Sequence, residues 1–152
     1  AAFRQKHIGF IFQTYNLLPY MTALENTALP LMFQGYGRGE REKRAASLLK
    51  KVGLAERMYH YPSQMSGGQQ QRVGIARAFA ANPEVIFADE PTGNLDTKTT
   101  AQIMEMMMEI ARKKNQTIVL VTHDPQMAAY ADRILTLIDG NIIKEQRREE
   151  RE

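Results

Sequence analysis

The sequence predicts an α/β fold, with a parallel-sheet core and an inserted helical subdomain. Two observations carry this. The runs VIFA at 85–88 and IVLV at 118–121 are short and wholly apolar, and they flank a segment of helical periodicity long enough for a crossover. Strands with no polar alternation suit a parallel sheet covered on both faces, and a strand–helix–strand order suits its right-handed crossover. The second observation is that 14–81 carries mainly helical signals, which places a helical subdomain there. On this reading 1–13 and 82–145 belong to the α/β core, and 146–152 is a charged tail.

The elements follow in order. IGFIF at 8–12 is a short apolar, partly β-branched run, read as a buried strand. Thr22 followed by Glu25 has capping-box spacing, so a helix is expected over about 23–33, limited or kinked by Pro30. Gly35, Gly37 and Gly39 predict a flexible turn. The segment 40–52 is expected to be an amphipathic helix with Ala45, Leu48, Leu49 and Val52 inward, stopped by Gly53. A helix starting after Ser66 turns Val73, Ala76, Phe79 and Ala80 to one side and ends at Asn82-Pro83. Asp96 or Thr97 caps a long helix running to about Lys114, with Ile103, Met106, Met107 and Ile110 inward. A short helix is expected over 125–130. A strand at 134–138 turns through Asp139-Gly140-Asn141 into Ile142-Ile143 as a hairpin.

Composition narrows the function classes. The 152 residues suffice for one domain with a sizeable core. There is no cysteine, which excludes disulfides and thiolate zinc sites. The three histidines are too scattered for a structural metal site. The net charge of +3 comes from 20 basic and 17 acidic residues spread along the chain, with no basic block, so charge does not point to nucleic acid. No apolar run approaches the roughly 18 residues of a membrane-spanning helix, and no signal peptide is visible.

Five short strings carry chemistry. In Met65-Ser66-Gly67-Gly68-Gln69, Ser66 can cap a helix whose N-terminus, bared by two glycines, offers backbone N–H groups and partial positive charge to an anion. Alone it also reads as a serine-capped glycine loop. A strand ending in Asp89-Glu90 sets two carboxylates at the C-terminal edge of a sheet, where α/β proteins bind ligands. One can hold Mg²⁺ and the other can orient or deprotonate a water. The plain alternative is a strand followed by an acidic helix cap. Gly93-Asn94-Leu95-Asp96 follows, and Asp96 also suits an N-cap. Thr122-His123-Asp124 ends another strand, and Gln13 ends the first; alone, each is unremarkable.

Together, in this order from residue 8 to residue 144, these strings resemble the ATPase subunits of ATP-binding cassette (ABC) transporters. The resemblance implies a P-loop NTPase (RecA-like) core, here partial. It implies that Ser66, Gly67, Gly68 and Gln69 form the signature motif, with Met65 where leucine is usual, acting on nucleotide held by a second subunit. It makes Asp89 the Walker B ligand of Mg²⁺, Glu90 the general base, and His123 the switch residue that contacts the γ-phosphate. Gln13 becomes the Q-loop residue reaching toward Mg²⁺ and water, and Asp96 belongs to the D-loop, with Asn94 in place of the usual small residue. The implied partners are ATP, a second ATPase subunit and a transmembrane permease docking on 15–21 and the neighbouring helix, with no nucleic acid, on the cytoplasmic face of the cell membrane. Tyr15-Asn16-Leu17-Leu18-Pro19, Thr22, Glu25-Asn26 and the LPL at 29–31 resemble the lipoprotein-release and macrolide-export type.

The phosphate-cradling pattern G-x-x-x-x-G-K-[ST] is not in the sequence: none of its ten glycines precedes a lysine. In the family that loop comes before the Q-loop. The expectation is therefore the C-terminal part of a cassette, unable to bind ATP tightly or hydrolyse it alone, with an incomplete sheet and exposed apolar surface. The alternative is a non-catalytic truncated module that dimerises with and regulates intact subunits. Chromosome-structuring cassettes carry a long coiled coil between the Q-loop and the signature motif, whereas here the stretch from Gln13 to Ser66 is short and lacks sustained heptads.

Overall fold

The computed structural model describes residues 7–151; the part of the expected core at 1–6, and Glu152, lie outside them. The apolar runs form β1 (Ile8–Phe12), β2 (Val85–Asp89) and β3 (Thr117–Val121). They pair in parallel in the order β1-β2-β3, so the two-carboxylate strand is central. The in-register rows sort the side chains. Ile11, Ala88 and Leu120 share a row and a face with Ile86 and Ile118, and that face packs into the core. The alternate row Phe10, Phe87 and Val119 lies on the other face, as do Phe12, Asp89 and Val121. That second face is bare: Phe10 is 43% exposed, Phe87 38% and Val121 54%. Phe10 stacks on Phe12 and Phe87 at 6.0 and 5.8 Å.

Helices α1 (Ala23–Phe33), α2 (Arg38–Lys51) and α3 (Gly67–Ala80) pack on one another, and α3 also packs against β1. The Thr22–Glu25 capping box is formed in both directions, at 3.1 and 3.2 Å. Pro30 lies inside α1, which continues to Phe33. The expected glycine turn is shorter than composition suggested. Gly39 lies in the first turn of α2, where the i,i+4 pairs Arg38–Glu42 and Arg44–Glu40, both at 3.0 Å, favour helix. Short 3₁₀ turns at Ala55–Arg57 and Pro62–Gln64 lead from α2 to α3.

Helix α4 (Thr97–Lys113) crosses from β2 to β3, and Asp96, not Thr97, is its N-cap. Its buried side includes Ile103, Met104, Met107 and Ile110, with Met106 only partly covered. Helix α5 (Pro125–Ala128) is a single turn, shorter than expected. Strands β4 (Arg133–Ile138) and β5 (Asn141–Arg147) form a separate antiparallel hairpin. Its two-residue loop, Asp139 (φ 50°) and Gly140 (φ 80°), has the positive φ pair of a type I′ turn. Gln146 and Arg147, read as the start of a charged tail, are the last residues of β5, and α6 (Arg148–Arg151) follows. Among the described residues no helix is long and apolar enough to cross a membrane.

Candidate active site

The three parallel strands deliver their C-terminal ends to one edge. β1 ends at Phe12, so Gln13 leaves that edge; β2 delivers Asp89 and Glu90; β3 delivers Thr122 and His123. Gln13, Glu90 and His123 line one cavity of about 370 Å³, with Thr92, Gly93 and Met127 among its other walls. Asp89, Asp96 and Ser66 to Gln69 do not line it.

Glu90 is the centre of the cluster. It sits in the left-handed region (φ 43°), a conformation that costs a non-glycine residue about 1–3 kcal/mol unless its surroundings enforce it. Here its own N–H donates to the Val121 carbonyl at 2.8 Å, and its carbonyl accepts from the Gly93 N–H at 3.1 Å. Its carboxylate reaches across to the end of β3. Oε1 accepts the His123 backbone N–H at 2.8 Å and meets His123 Nδ1 at 2.6 Å, while Oε2 accepts the Thr122 hydroxyl at 3.2 Å. Desolvation pushes the Glu90 carboxyl up, but the hydrogen bonds from His123 and Thr122 outweigh it and hold the carboxyl below its ordinary range. Glu90 is thus kept ionised. The His123 side chain is 89% exposed against 21% for Glu90, so the imidazole is open to an incoming ligand while the carboxylate beneath it is mostly covered.

Gln13 is held from the β2–α4 loop. Asn94 Nδ2 donates to its backbone carbonyl at 3.2 Å. Its side-chain amide lies against Gly93 so closely that a Cβ there would sit 2.6 Å from Nε2. Asp96 caps α4 by accepting the Thr99 N–H at 2.8 Å and the Thr99 hydroxyl at 2.9 Å; these bonds lower its carboxyl pKa.

Asp89 differs from its neighbour. It is exposed, and its carboxylate makes no hydrogen bond or ion pair among the described residues. Hydrated Mg²⁺ is commonly held by one or two carboxylates together with waters and substrate phosphates. Asp89 fits that pattern. No group of three or more His, Cys, Asp or Glu converges among the described residues, so the chain does not build an all-protein cage there.

Ser66 caps α3: it accepts the Gln69 N–H at 3.2 Å, and Gln69 Oε1 accepts the Ser66 N–H at 3.0 Å. The glycines after it serve the chain's own packing. A Cβ on Gly67 would lie 2.7 Å from the Tyr15 hydroxyl, and one on Gly68 would lie 2.9 Å from Thr99 Cγ2. Sequence reasoning missed Tyr15, Thr99, Gln71 and Arg77 as parts of this architecture. The adjacent glycines signalled a close approach but not what approaches.

The comparisons with known proteins agree with this geometry. The sequence model described as ABC transporter matches residues 1–93. An ABC transporter ATP-binding protein of Methanocaldococcus jannaschii is 51% identical over 95% of this chain and 64% of its own. The lipoprotein-releasing system ATP-binding protein LolD of Syntrophus aciditrophicus is 48% identical over 94% of this chain and 64% of its own. A dimeric post-hydrolysis structure of the ATP-binding cassette MJ0796, bound to ADP and Pi, superposes with a TM-score of 0.84 at 46% identity. It covers 95% of this chain and 64% of that one. The chain therefore spans less than two thirds of the length of these relatives. With its P-loop NTPase-type parallel sheet, its helical layer and a family match over residues 1–93, the chain belongs to the ABC transporter family.

Proposed function

We propose that this chain is the part of an ABC transporter motor subunit that positions water for ATP hydrolysis and couples that step to a membrane partner. The observation that carries the reading is the convergence of Gln13, Glu90 and His123 on one cavity at the C-terminal edge of a parallel sheet. Glu90, held ionised, orients the attacking water and accepts its proton. His123, exposed beside it, contacts the terminal phosphate. Asp89 and Gln13 would hold Mg²⁺, which supplies charge neutralisation at the phosphates when bound. Asp96 belongs to the loop facing a second ATPase subunit, and Ser66, Gly67, Gly68 and Gln69 serve nucleotide held by that second copy.

The phosphate-cradling segment is not among the 152 residues. The bare sheet face supports its being supplied by a further segment. A parallel sheet needs apolar cover on both faces, and Asp89 stands in the same row as Phe12 and Val121 at the rim of the bare one. A segment that covers Phe10 and Phe87 therefore reaches the Mg²⁺ ligand. The residues divide as 1–13 and 82–145 for the α/β core and 14–81 for the helical subdomain. A groove of about 450 Å³ between α1 and α2, lined by Met21, Leu24, Leu29, Met32 and Tyr59, is the docking place for a transmembrane permease on the cytoplasmic face of the membrane.

Calorimetric titration with Mg-ATP tests the reading. The 152 residues alone should show no binding tighter than about millimolar and no turnover, and the intact protein should do both. Turnover by the 152 residues at the rate of the intact protein, or no turnover by either, refutes it.

A further inference from the structure

Three residues at the site's edges hold left-handed backbone without being glycine: Tyr15 (φ 64°), Asn16 (φ 56°) and Glu90 (φ 43°). The first two follow Gln13, and the third is the carboxylate itself. Both turns are gripped by side chains of one helix, α3. Arg77 donates to the Asn16 carbonyl at 2.8 Å and to the Tyr15 carbonyl at 3.1 Å. Gln71 Nε2 donates to the carbonyl of Pro91, the residue after Glu90.

Gln71 is the more telling of the two. It is 0% exposed, among the largest fully buried side chains of the chain. Its Oε1 is buried without a partner among the described residues. A buried amide satisfied on one side only is worse for stability than an apolar side chain of similar shape, unless its single bond does something an apolar group cannot. That bond fixes the Pro91–Thr92 peptide, one residue beyond Glu90. Gly74, one turn along, leaves room for both ends of the arrangement: a Cβ there would lie 3.6 Å from Gln71 Oε1 and 3.7 Å from the Tyr15 carbonyl oxygen. The same helix begins at Gly67, capped by Ser66.

We infer that Gln71 is a positioning residue: from the buried side of α3 it holds the Glu90–Pro91 turn, so that the helix headed by Ser66–Gln69 and the hydrolytic carboxylate are set as one piece. Arg77 does the same for the turn after Gln13. Whatever seats or tilts the head of α3 is thereby transmitted to both walls of the cavity. This rests on the hydrolytic reading of Glu90, and its test separates the two.

Gln71→Met in the intact protein keeps length and packing volume and removes the donor. Steady-state ATP turnover should show kcat lowered by about tenfold or more with KM for Mg-ATP changed by less than about threefold, the pattern of a lost transition-state interaction. Amide hydrogen exchange at Glu90, Gly93 and Leu95, whose N–H groups are bonded to Val121, Glu90 and Thr92, should rise by about tenfold or more. Gln71→Asn, one methylene too short to reach Pro91, is the second variant should Met fail to fold, and should give the same split. An unchanged kcat, a KM that rises in step with the loss, or unchanged exchange at those three amides overturns the inference. If the intact wild type does not hydrolyse ATP, the hydrolytic reading falls and the exchange result alone decides the tie.

Discussion

A Cβ on Gly67 would sit 2.7 Å from the Tyr15 hydroxyl, 3.6 Å from Tyr15 Cζ and 3.7 Å from Leu95 Cδ2. Only the first distance is prohibitive; the others are ordinary contacts. Tyr15 has little freedom to retreat, because its backbone is left-handed and its carbonyl is held by Arg77. Gly67→Ala should therefore overpack the head of α3, which costs about 1–3 kcal/mol. Replacing glycine by alanine in a helix interior returns up to about 1 kcal/mol, and less at a first helical position, so the net loss should be about 1–2 kcal/mol. Tyr15→Phe removes only the offending oxygen, which makes no hydrogen bond among the described residues. In that background the nearest atom is the 3.6 Å one, and Gly67→Ala should be neutral or slightly stabilising. Urea unfolding of the four proteins, followed by circular dichroism, completes the cycle. The expected coupling is about 1–2 kcal/mol, well beyond the roughly 0.5 kcal/mol within which independent sites add. Equal losses in both backgrounds, or no loss in either, would refute the contact and with it the packing role of Gly67.

Two further predictions concern Glu90 and the sheet. Because the folded-state pKa of Glu90 lies below its unfolded value, its contribution is complete above the ordinary carboxylate range and is lost as pH falls through the lower folded value. Gln cannot titrate, so Glu90→Gln should show a shallower loss of stability on acidification through that window in pH-dependent urea melts; parallel acid limbs would contradict the bonded carboxylate. The bare face of Phe10, Phe12, Phe87, Val119 and Val121 should make the 152 residues alone bind a hydrophobic dye and self-associate in light scattering. A dye-silent monomer with a sharp thermal transition would argue against an uncovered face.

Local chemistry was the legible part of the sequence. Thr22–Glu25, Ser66–Gln69 and the Asp96 cap are hydrogen bonds closed within three residues, so spacing alone announces them. The apolar strands were legible for a similar reason, but an all-apolar run cannot say which of its faces is covered, and Phe10 and Phe87 turned out to be on the open one. The start of α2 was hidden because Gly37 and Gly39 favour a turn, while the pairs that win, Arg38–Glu42 and Arg44–Glu40, depend on the helix already being there. The supports of the site were out of reach for a different reason. Gln71 meets Pro91 across 20 positions of sequence, and Arg77 meets Asn16 across 61. Such bonds exist only once α3 is packed beside β1, and nothing in a buried glutamine or an ordinary helical arginine marks them beforehand.

On the proposed function Glu90, clasped to the end of β3 by Thr122 and His123, is the group that activates water. Its most direct test is single-turnover ATP hydrolysis by intact Glu90→Gln protein, with Mg-ATP affinity measured on the same samples. Hydrolysis should slow by about 100-fold or more while affinity stays within about threefold, as expected when a general base is removed from an otherwise intact binding site. Hydrolysis within a few-fold of wild type at unchanged affinity would contradict it.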